Sequence, residues 1–144
     1  MRVRITTTLL AGVLLCLTAV CGQEESRSVW DGVYAARQAK DGEPLYRQHC
    51  ASCHGASLTG GEMSPPLAGG EFLSNWNGLT AGDLFERIRK TMPQNKPASL
   101  SREVNTQILA YLLAFNKFPE GTTDLPSNTE FLKQIRIEAT KPEK

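Results

Sequence analysis

The sequence lacks a strong charge bias, an internal repeat and a low-complexity segment. Its 144 residues carry 16 Lys and Arg against 15 Asp and Glu, a formal net charge of +1. No basic stripe or aromatic ladder marks a nucleic-acid surface, and a near-neutral protein has no strong overall field to steer partners. The length suits one small domain.

Histidine is scarce, and cysteine is scarce outside the N-terminal segment, which restricts the metal and disulfide chemistry available. The chain has 2 histidines and 4 cysteines, and two of the cysteines, Cys16 and Cys21, lie in or beside an apolar N-terminal segment. The remainder keeps only Cys50 and Cys53. A framework of two disulfides is therefore excluded for the folded domain.

No apolar run is long enough for a transmembrane helix. Arg2 and Arg4 precede an apolar run over residues 5–20 that threonines interrupt, whereas a spanning helix needs about 20 continuous apolar residues. Residues 1–22 are therefore predicted to be an export signal, and we expect a periplasmic or secreted protein.

The processing of this signal has two open outcomes. Residues 17–21 resemble a bacterial lipobox, so a lipid on Cys21 would tether the protein to a membrane through a polar linker, residues 23–28. Cleavage after Gly22 would release it instead.

Helical periodicity predicts several helices along the chain. A short helix is expected over residues 29–40, ended by Asp41 and Gly42, and a second helix is expected from there to Cys50. Glycine and proline pairs leave no window for a helix between residues 55 and 77. Such a long loop is expected to be ordered by packing around a bound body.

Two further helices have clear start signals. Thr80 and Asp83 form a variant capping box that opens a helix from residue 81 to about residue 90. Ser101 is expected to cap the core helix, whose apolar residues recur at helical spacing as far as Phe115.

The domain is predicted to span residues 29–118, including the extra N-terminal helix. A C-terminal extension, residues 119–144, is expected to follow it. The extension holds one apolar patch, predicted to be a single helical turn or a short extended contact: Phe131, Leu132, Ile135 and Ile137.

The chemistry is carried by residues 50–54, which read Cys-x-x-Cys-His, a c-type haem attachment sequence. Two thiols at this spacing reach two vinyl groups on one porphyrin edge, and the imidazole of His54 then lies under the ring. A thiol-disulfide couple would expect a strand before Cys50, and a zinc site would need distant ligands, while His49 faces elsewhere. These readings and a structural disulfide remain alternatives to haem.

A second axial ligand would make the haem iron a pure electron carrier. Met92 is the better candidate because a helix precedes it and Pro93 follows it, which fixes its backbone. Met63 lies in the glycine-rich loop on the attachment side, so its sulfur would not easily reach the opposite face of the haem. If Met92 is only core filler, the sixth position is open, and the protein is a haem enzyme or gas-binding protein.

These motifs, in this order between helices, resemble the class I cytochrome c family over roughly residues 41–118: Cys50 to His54, Pro65-Pro66-Leu67 and Thr91-Met92-Pro93. The resemblance implies an all-α fold, a small cytochrome c-like helical domain wrapped around one covalently bound haem c. It also implies an electron carrier, not an enzyme, that cycles between Fe(II) and Fe(III).

The resemblance also assigns roles to single residues. It implies that the carbonyl of Pro65 accepts the Nδ1 hydrogen of His54, that Leu67 packs on the ring, and that the Trp76 indole donates to a haem propionate. Two packing aromatics are expected at the helix crossing: Tyr46 and Tyr111.

The flanks on either side of the matching region resemble those of bacterial cytochromes that accompany quinoprotein dehydrogenases. This resemblance implies redox-protein partners, with such a dehydrogenase as donor and a terminal oxidase as acceptor. No nucleic-acid partner is expected, and a membrane is expected only through a lipid on Cys21.

Overall fold

The computed structural model describes residues 26–143. The predicted signal peptide, the start of the polar linker and Cys21 lie outside these residues. The described part is mostly helical: α1 Ala36–His49, α2 Ala51–His54, α3 Gly69–Trp76, α4 Ala81–Thr91, α5 Arg102–Phe115 and α6 Thr129–Leu132. Two short parallel strands pair with each other, β1 Arg27–Ser28 and β2 Ile135–Arg136. Within these residues, every helix is too short or too polar to span a bilayer.

The predicted start of the first helix at residue 29 and the predicted break at Asp41 and Gly42 are wrong, while the helix that leads to Cys50 is confirmed. Residues 29–31 form a single 3₁₀ turn, which ends at Gly32 in a left-handed conformation (φ 65°). One continuous helix, α1, then includes both Asp41 and Gly42. Gly42 does not break α1 because its missing side chain lets α5 approach: a Cβ there would lie 1.9 Å from the carbonyl oxygen of Gln107.

The prediction that residues 55–77 hold no helix is also wrong, since α3 begins at Gly69. Its first backbone N–H donates to the side-chain oxygen of Asn116, 3.0 Å away at the end of α5. Phe72, on the inner face of α3, is buried. Tertiary contacts therefore stabilise a helix that its own glycine-rich sequence does not favour.

The predictions for α4 and α5 are confirmed. The Thr80 side chain accepts from the Asp83 backbone, and the Asp83 carboxylate accepts from the Thr80 backbone. The Ser101 side chain accepts from the backbone of Val104 at the start of α5. Both caps satisfy donors that the first helical turn leaves free.

The C-terminal segment packs into the same core as the helices. Of its apolar patch, Leu132, Ile135 and Ile137 are buried, while Phe131 is 57% exposed. The patch forms both a helical turn, α6, and the strand β2, which pairs with β1. The predicted division at residue 118 stays a prediction.

Candidate functional site

The Cys-x-x-Cys-His motif lies where α1 passes into α2. Cys50 separates the two helices, and its backbone N–H donates to the Tyr46 carbonyl at 2.8 Å. The His54 N–H donates to the Cys50 carbonyl at 3.0 Å, which closes the turn. Cys50 is half-buried, Cys53 is exposed, and both are free thiols. The helix geometry therefore presents both sulfur atoms and the imidazole on one short turn.

The orientation of His54 is set by one hydrogen bond. Its imidazole is buried, and Nδ1 lies 2.9 Å from the carbonyl oxygen of Pro65. Because a carbonyl only accepts, Nδ1 carries the proton and Nε2 keeps its lone pair. This contact is the one that the resemblance implied, and it leaves Nε2 as the nitrogen able to bind iron.

The loop that carries Pro65 is folded back onto the motif. The Gly60 N–H donates to the His54 carbonyl at 2.9 Å, and the Leu67 N–H donates to the Leu58 carbonyl at 2.8 Å. Gly60 has φ 76°, and a Cβ there would lie 2.5 Å from the Ser64 carbonyl oxygen. Glycine is therefore required at position 60 for the loop to bring the Pro65 carbonyl to the His54 imidazole.

Tyr46 supports the motif in a way that the sequence did not reveal. Its buried hydroxyl donates to the Gly55 carbonyl at 2.7 Å, one residue after His54. Burial raises the pKa of this hydroxyl, so it remains a neutral donor. The rings of Tyr46 and Tyr111 lie 5.4 Å apart where α1 meets α5, as expected.

The Cys50 thiol is too weakly acidic to act as the attacking group in dithiol exchange. Burial, and secondly the charge of the nearby Cys53, raise the pKa of Cys50 to about 11. Reactive redox cysteines have the opposite shift, because the thiolate is the nucleophile. Cys50 is therefore not suited to be the attacking thiol of a thiol-disulfide couple.

The two methionine candidates differ sharply in environment. Met92 directly follows α4, where its backbone N–H donates to the Ile88 carbonyl at 2.9 Å, and its side chain packs partly buried against the core. Met63 is 94% exposed in the loop. Ligation by Met92 stays a prediction.

Leu67 and Trp76 are both half-buried against the core. The Leu67 carbonyl accepts from the Asn116 side chain at 3.0 Å, and the Trp76 ring lies 6.3 Å from that of Phe72. Asn116 therefore joins the loop and α3 to α5, a role that no local sequence signal indicated. The contacts of Leu67 and Trp76 with haem stay predictions, and His49 ends α1 half-buried.

The donor set fits a covalently bound haem. Among residues 26–143, no group of three or more His, Cys, Asp or Glu side chains is arranged to hold a metal ion alone. The porphyrin would supply the in-plane ligands, so the protein needs one imidazole with a fixed tautomer and two accessible thiols. His54, Cys50 and Cys53 meet these requirements.

Comparison with known proteins gives one family and one structure. The family model described as "Cytochrome C oxidase, cbb3-type, subunit III" matches residues 37–112, more than half of the chain. The sulfane dehydrogenase SoxCD from Paracoccus pantotrophus matches with a TM-score of 0.50 and 23% identity. The match covers 75% of this chain and 61% of that one, and it shows a shared fold. No curated protein matches.

The matched residues run from the first turn of α1 into α5 and include the whole haem-attachment motif. Members of this family carry covalently attached haem c and transfer electrons, either as separate carriers or as subunits of larger redox complexes. The helical fold, the Cys50–His54 motif and the family match together show that this chain belongs to the cytochrome c family represented by the cbb3-type subunit III model.

Proposed function

We propose that the protein is an exported one-electron carrier. In this proposal Cys50 and Cys53 hold haem c through thioether bonds, and His54 and Met92 are the axial ligands. The observation that carries the proposal is the hydrogen bond from His54 Nδ1 to the Pro65 carbonyl, 2.9 Å long. When bound, haem supplies a single electron by cycling between Fe(II) and Fe(III).

His54 acts as the fixed ligand on the attachment side. The Pro65 carbonyl holds the proton on Nδ1, so the imidazole neither rotates nor changes tautomer. The same bond increases the basicity of Nε2, which favours the oxidised iron. The Gly60–His54 and Leu67–Leu58 backbone bonds keep this carbonyl in place.

Met92 is proposed to bind from the opposite side. It follows α4 directly and precedes Pro93, so its backbone is restrained on both sides. A thioether ligand raises the reduction potential and closes the coordination sphere to oxygen. Leu67 and Trp76 are proposed to exclude water from the ring, and the Trp76 indole N–H is proposed to donate to a propionate.

The partners are proposed to be redox proteins. The matching family model is named for an oxidase and the matching structure is a dehydrogenase. A quinoprotein dehydrogenase as donor and a terminal oxidase as acceptor are proposed here. Export is proposed to end either in cleavage after Gly22 or in a lipid on Cys21.

Carbon monoxide binding tests the ligation. The reduced wild-type protein should bind the gas slowly, because Met92 already occupies the site. Reduced Met92→Ala should bind the gas rapidly, and oxidised Met92→Ala should lack the sulfur-to-iron charge-transfer band that the oxidised wild type shows. Met63→Ala, which removes an exposed thioether, should behave as wild type. Rapid binding by the wild type would instead favour an enzyme or gas-binding protein with an open sixth position.

Mass spectrometry tests the attachment itself. Protein produced with haem-maturation machinery should be heavier than its polypeptide by one haem and should keep its colour after acid-acetone extraction. A Cys50→Ala, Cys53→Ala variant should lose the pigment under the same extraction. A wild-type mass equal to that of the bare polypeptide refutes the proposal.

A further inference from the structure

The loop after the motif has a surface concavity that the electron-carrier proposal does not use. It has a volume of about 540 Å³ and lies between residues 59–66 and the first turn of α3. Glu62, Met63, Pro65 and Glu71 are among its lining residues. We refer to it as the loop concavity.

The loop concavity lies directly against the haem-attachment motif. Pro65 lines it, and the carbonyl of the same residue accepts the Nδ1 hydrogen of His54. Gly61 also lines it, and a Cβ there would lie 3.4 Å from the Cys53 carbonyl oxygen. A protein bound in the concavity would therefore be separated from Cys53 only by Gly61 and from the proposed iron ligand His54 only by Pro65.

The charge of this surface is negative and uncompensated. Glu62 and Glu71 form no ion pair within residues 26–143, and the sequence has no Lys or Arg at all from residue 48 to residue 86. By contrast, Glu43 on α1 is paired with Arg47 at 2.8 Å. Because the whole chain is nearly neutral, these two carboxylates make the loop concavity locally acidic.

Met63 gives the same surface an apolar contact. Its side chain is 94% exposed, the most exposed of the large apolar side chains described. Methionine is flexible and polarizable, and it is enriched at protein interfaces. Met63 is exposed in a concavity that two unpaired carboxylates also line, which is the arrangement expected for a contact that a partner covers.

We infer that the loop concavity is the docking surface for a redox protein with a basic surface. Lys or Arg side chains of the partner lie against Glu62 and Glu71, and its apolar surface covers Met63. One electron passes between the carrier and the partner beside Pro65 and His54, with no atom or proton transferred. The inference rests on the proposed function, because it needs a haem held at Cys50 and Cys53.

The test measures the rate at which small oxidants oxidise the reduced protein, by stopped flow. The two oxidants have opposite charge: the cation tris(phenanthroline)cobalt(III) and the anion hexacyanoferrate(III). A Glu62→Gln, Glu71→Gln variant should react roughly tenfold more slowly with the cation, as expected for two carboxylates about 8 Å from a trivalent ion at about 0.1 M salt. It should react faster with the anion. A change in reduction potential would shift both rates in the same direction, so the opposite signs isolate the charge effect.

A matched control removes the same charge elsewhere. Glu103 lies in the first turn of α5, about 20 Å of helix from the end that contacts Leu67. Glu120 lies near the start of α1, at a similar distance from Cys50. A Glu103→Gln, Glu120→Gln variant should leave both rates within about twofold of wild type, because screening weakens charges beyond a Debye length.

A basic peptide tests docking separately. Decalysine should slow the reaction of wild type with the cation, and it should have no effect on the Glu62→Gln, Glu71→Gln variant. The docking surface is refuted, while the electron carrier stands, in either of two cases. The two double variants react with the oxidants at the same rates, or decalysine slows wild type and the Glu62→Gln, Glu71→Gln variant equally. If wild type exchanges no electron with either oxidant, the electron-carrier proposal fails and the docking surface with it.

Discussion

Replacing Gly42 with alanine should destabilise the crossing of α1 and α5. An added Cβ would lie 1.9 Å from the Gln107 carbonyl oxygen and 3.0 Å from the Tyr111 Cβ. Ordinary contact begins at 3.4 Å, so the two helices would have to separate by about 1.5 Å. The obstacle is backbone, which cannot rotate away as a flexible side chain does.

Two opposing effects set the magnitude. Alanine inside a helix is favoured over glycine by about 0.8 kcal/mol. Overpacking of a close crossing costs about 3 kcal/mol, the upper end of the usual range, because both helices must move. The net loss for Gly42→Ala is therefore about 2 kcal/mol, which corresponds to a Tm lower by about 8 °C.

The control is Gly70→Ala, in α3. Apart from its chain neighbours and the backbone of its own helix, no atom lies within 4 Å of the position that a Cβ would take there. Only the helical preference remains, and the free energy of unfolding should rise by about 0.8 kcal/mol. Both variants would be compared with wild type as haem-loaded proteins, by guanidinium unfolding followed with far-UV circular dichroism. A Gly42→Ala protein at least as stable as wild type would refute the close crossing.

Three further substitutions test other contacts. Tyr46→Phe removes the hydrogen bond to the Gly55 carbonyl and should lower the free energy of unfolding by about 1 kcal/mol. Leu132→Ala removes a fully buried side chain and should cost about 2–5 kcal/mol. Glu86→Gln should cost about 1 kcal/mol at neutral pH. Arg89 holds the pKa of Glu86 well below its usual range, so this stabilisation is present above the ordinary carboxyl pKa and the difference from wild type should shrink as the solution is acidified below about pH 4.

Each substitution has a matched control, measured by the same denaturation experiment. Tyr111→Phe should be nearly neutral, because its hydroxyl makes no hydrogen bond to the described residues. Phe131→Ala should also be nearly neutral, since that side chain is 57% exposed. Glu71→Gln removes a carboxylate that forms no ion pair within residues 26–143, so its free energy of unfolding should stay close to that of wild type at neutral pH. Equal losses in a test variant and its control would contradict the assigned contact.

Local signals predicted the parts of the fold that local chemistry determines. The Thr80–Asp83 capping box and the Ser101 cap depend on residues three positions apart, and both helices begin where these signals place them. The haem motif is also local, because its function needs only two thiols and an imidazole at fixed spacing. These features could be read from the sequence alone.

The wrong predictions concern residues whose roles depend on distant parts of the chain. Gly42 looked like a helix breaker, and only the position of Gln107 across the crossing explains it. The helix α3 depends on Asn116, whose side chain accepts from the Gly69 N–H across 47 residues of sequence. The hydroxyl bond of Tyr46 is likewise a tertiary contact. No periodicity or propensity encodes such pairs.

The short parallel strands have a mechanical consequence. In β1 and β2, Arg27 pairs with Ile135 and Ser28 with Arg136, and the Arg27 N–H donates to the Gln134 carbonyl at 2.9 Å. A tension applied between the two ends of the described chain pulls these strands along their own length in opposite directions. The backbone hydrogen bonds between the strands are then loaded in shear at the same time and do not break one after another. The domain should therefore resist mechanical unfolding while it is anchored at one end.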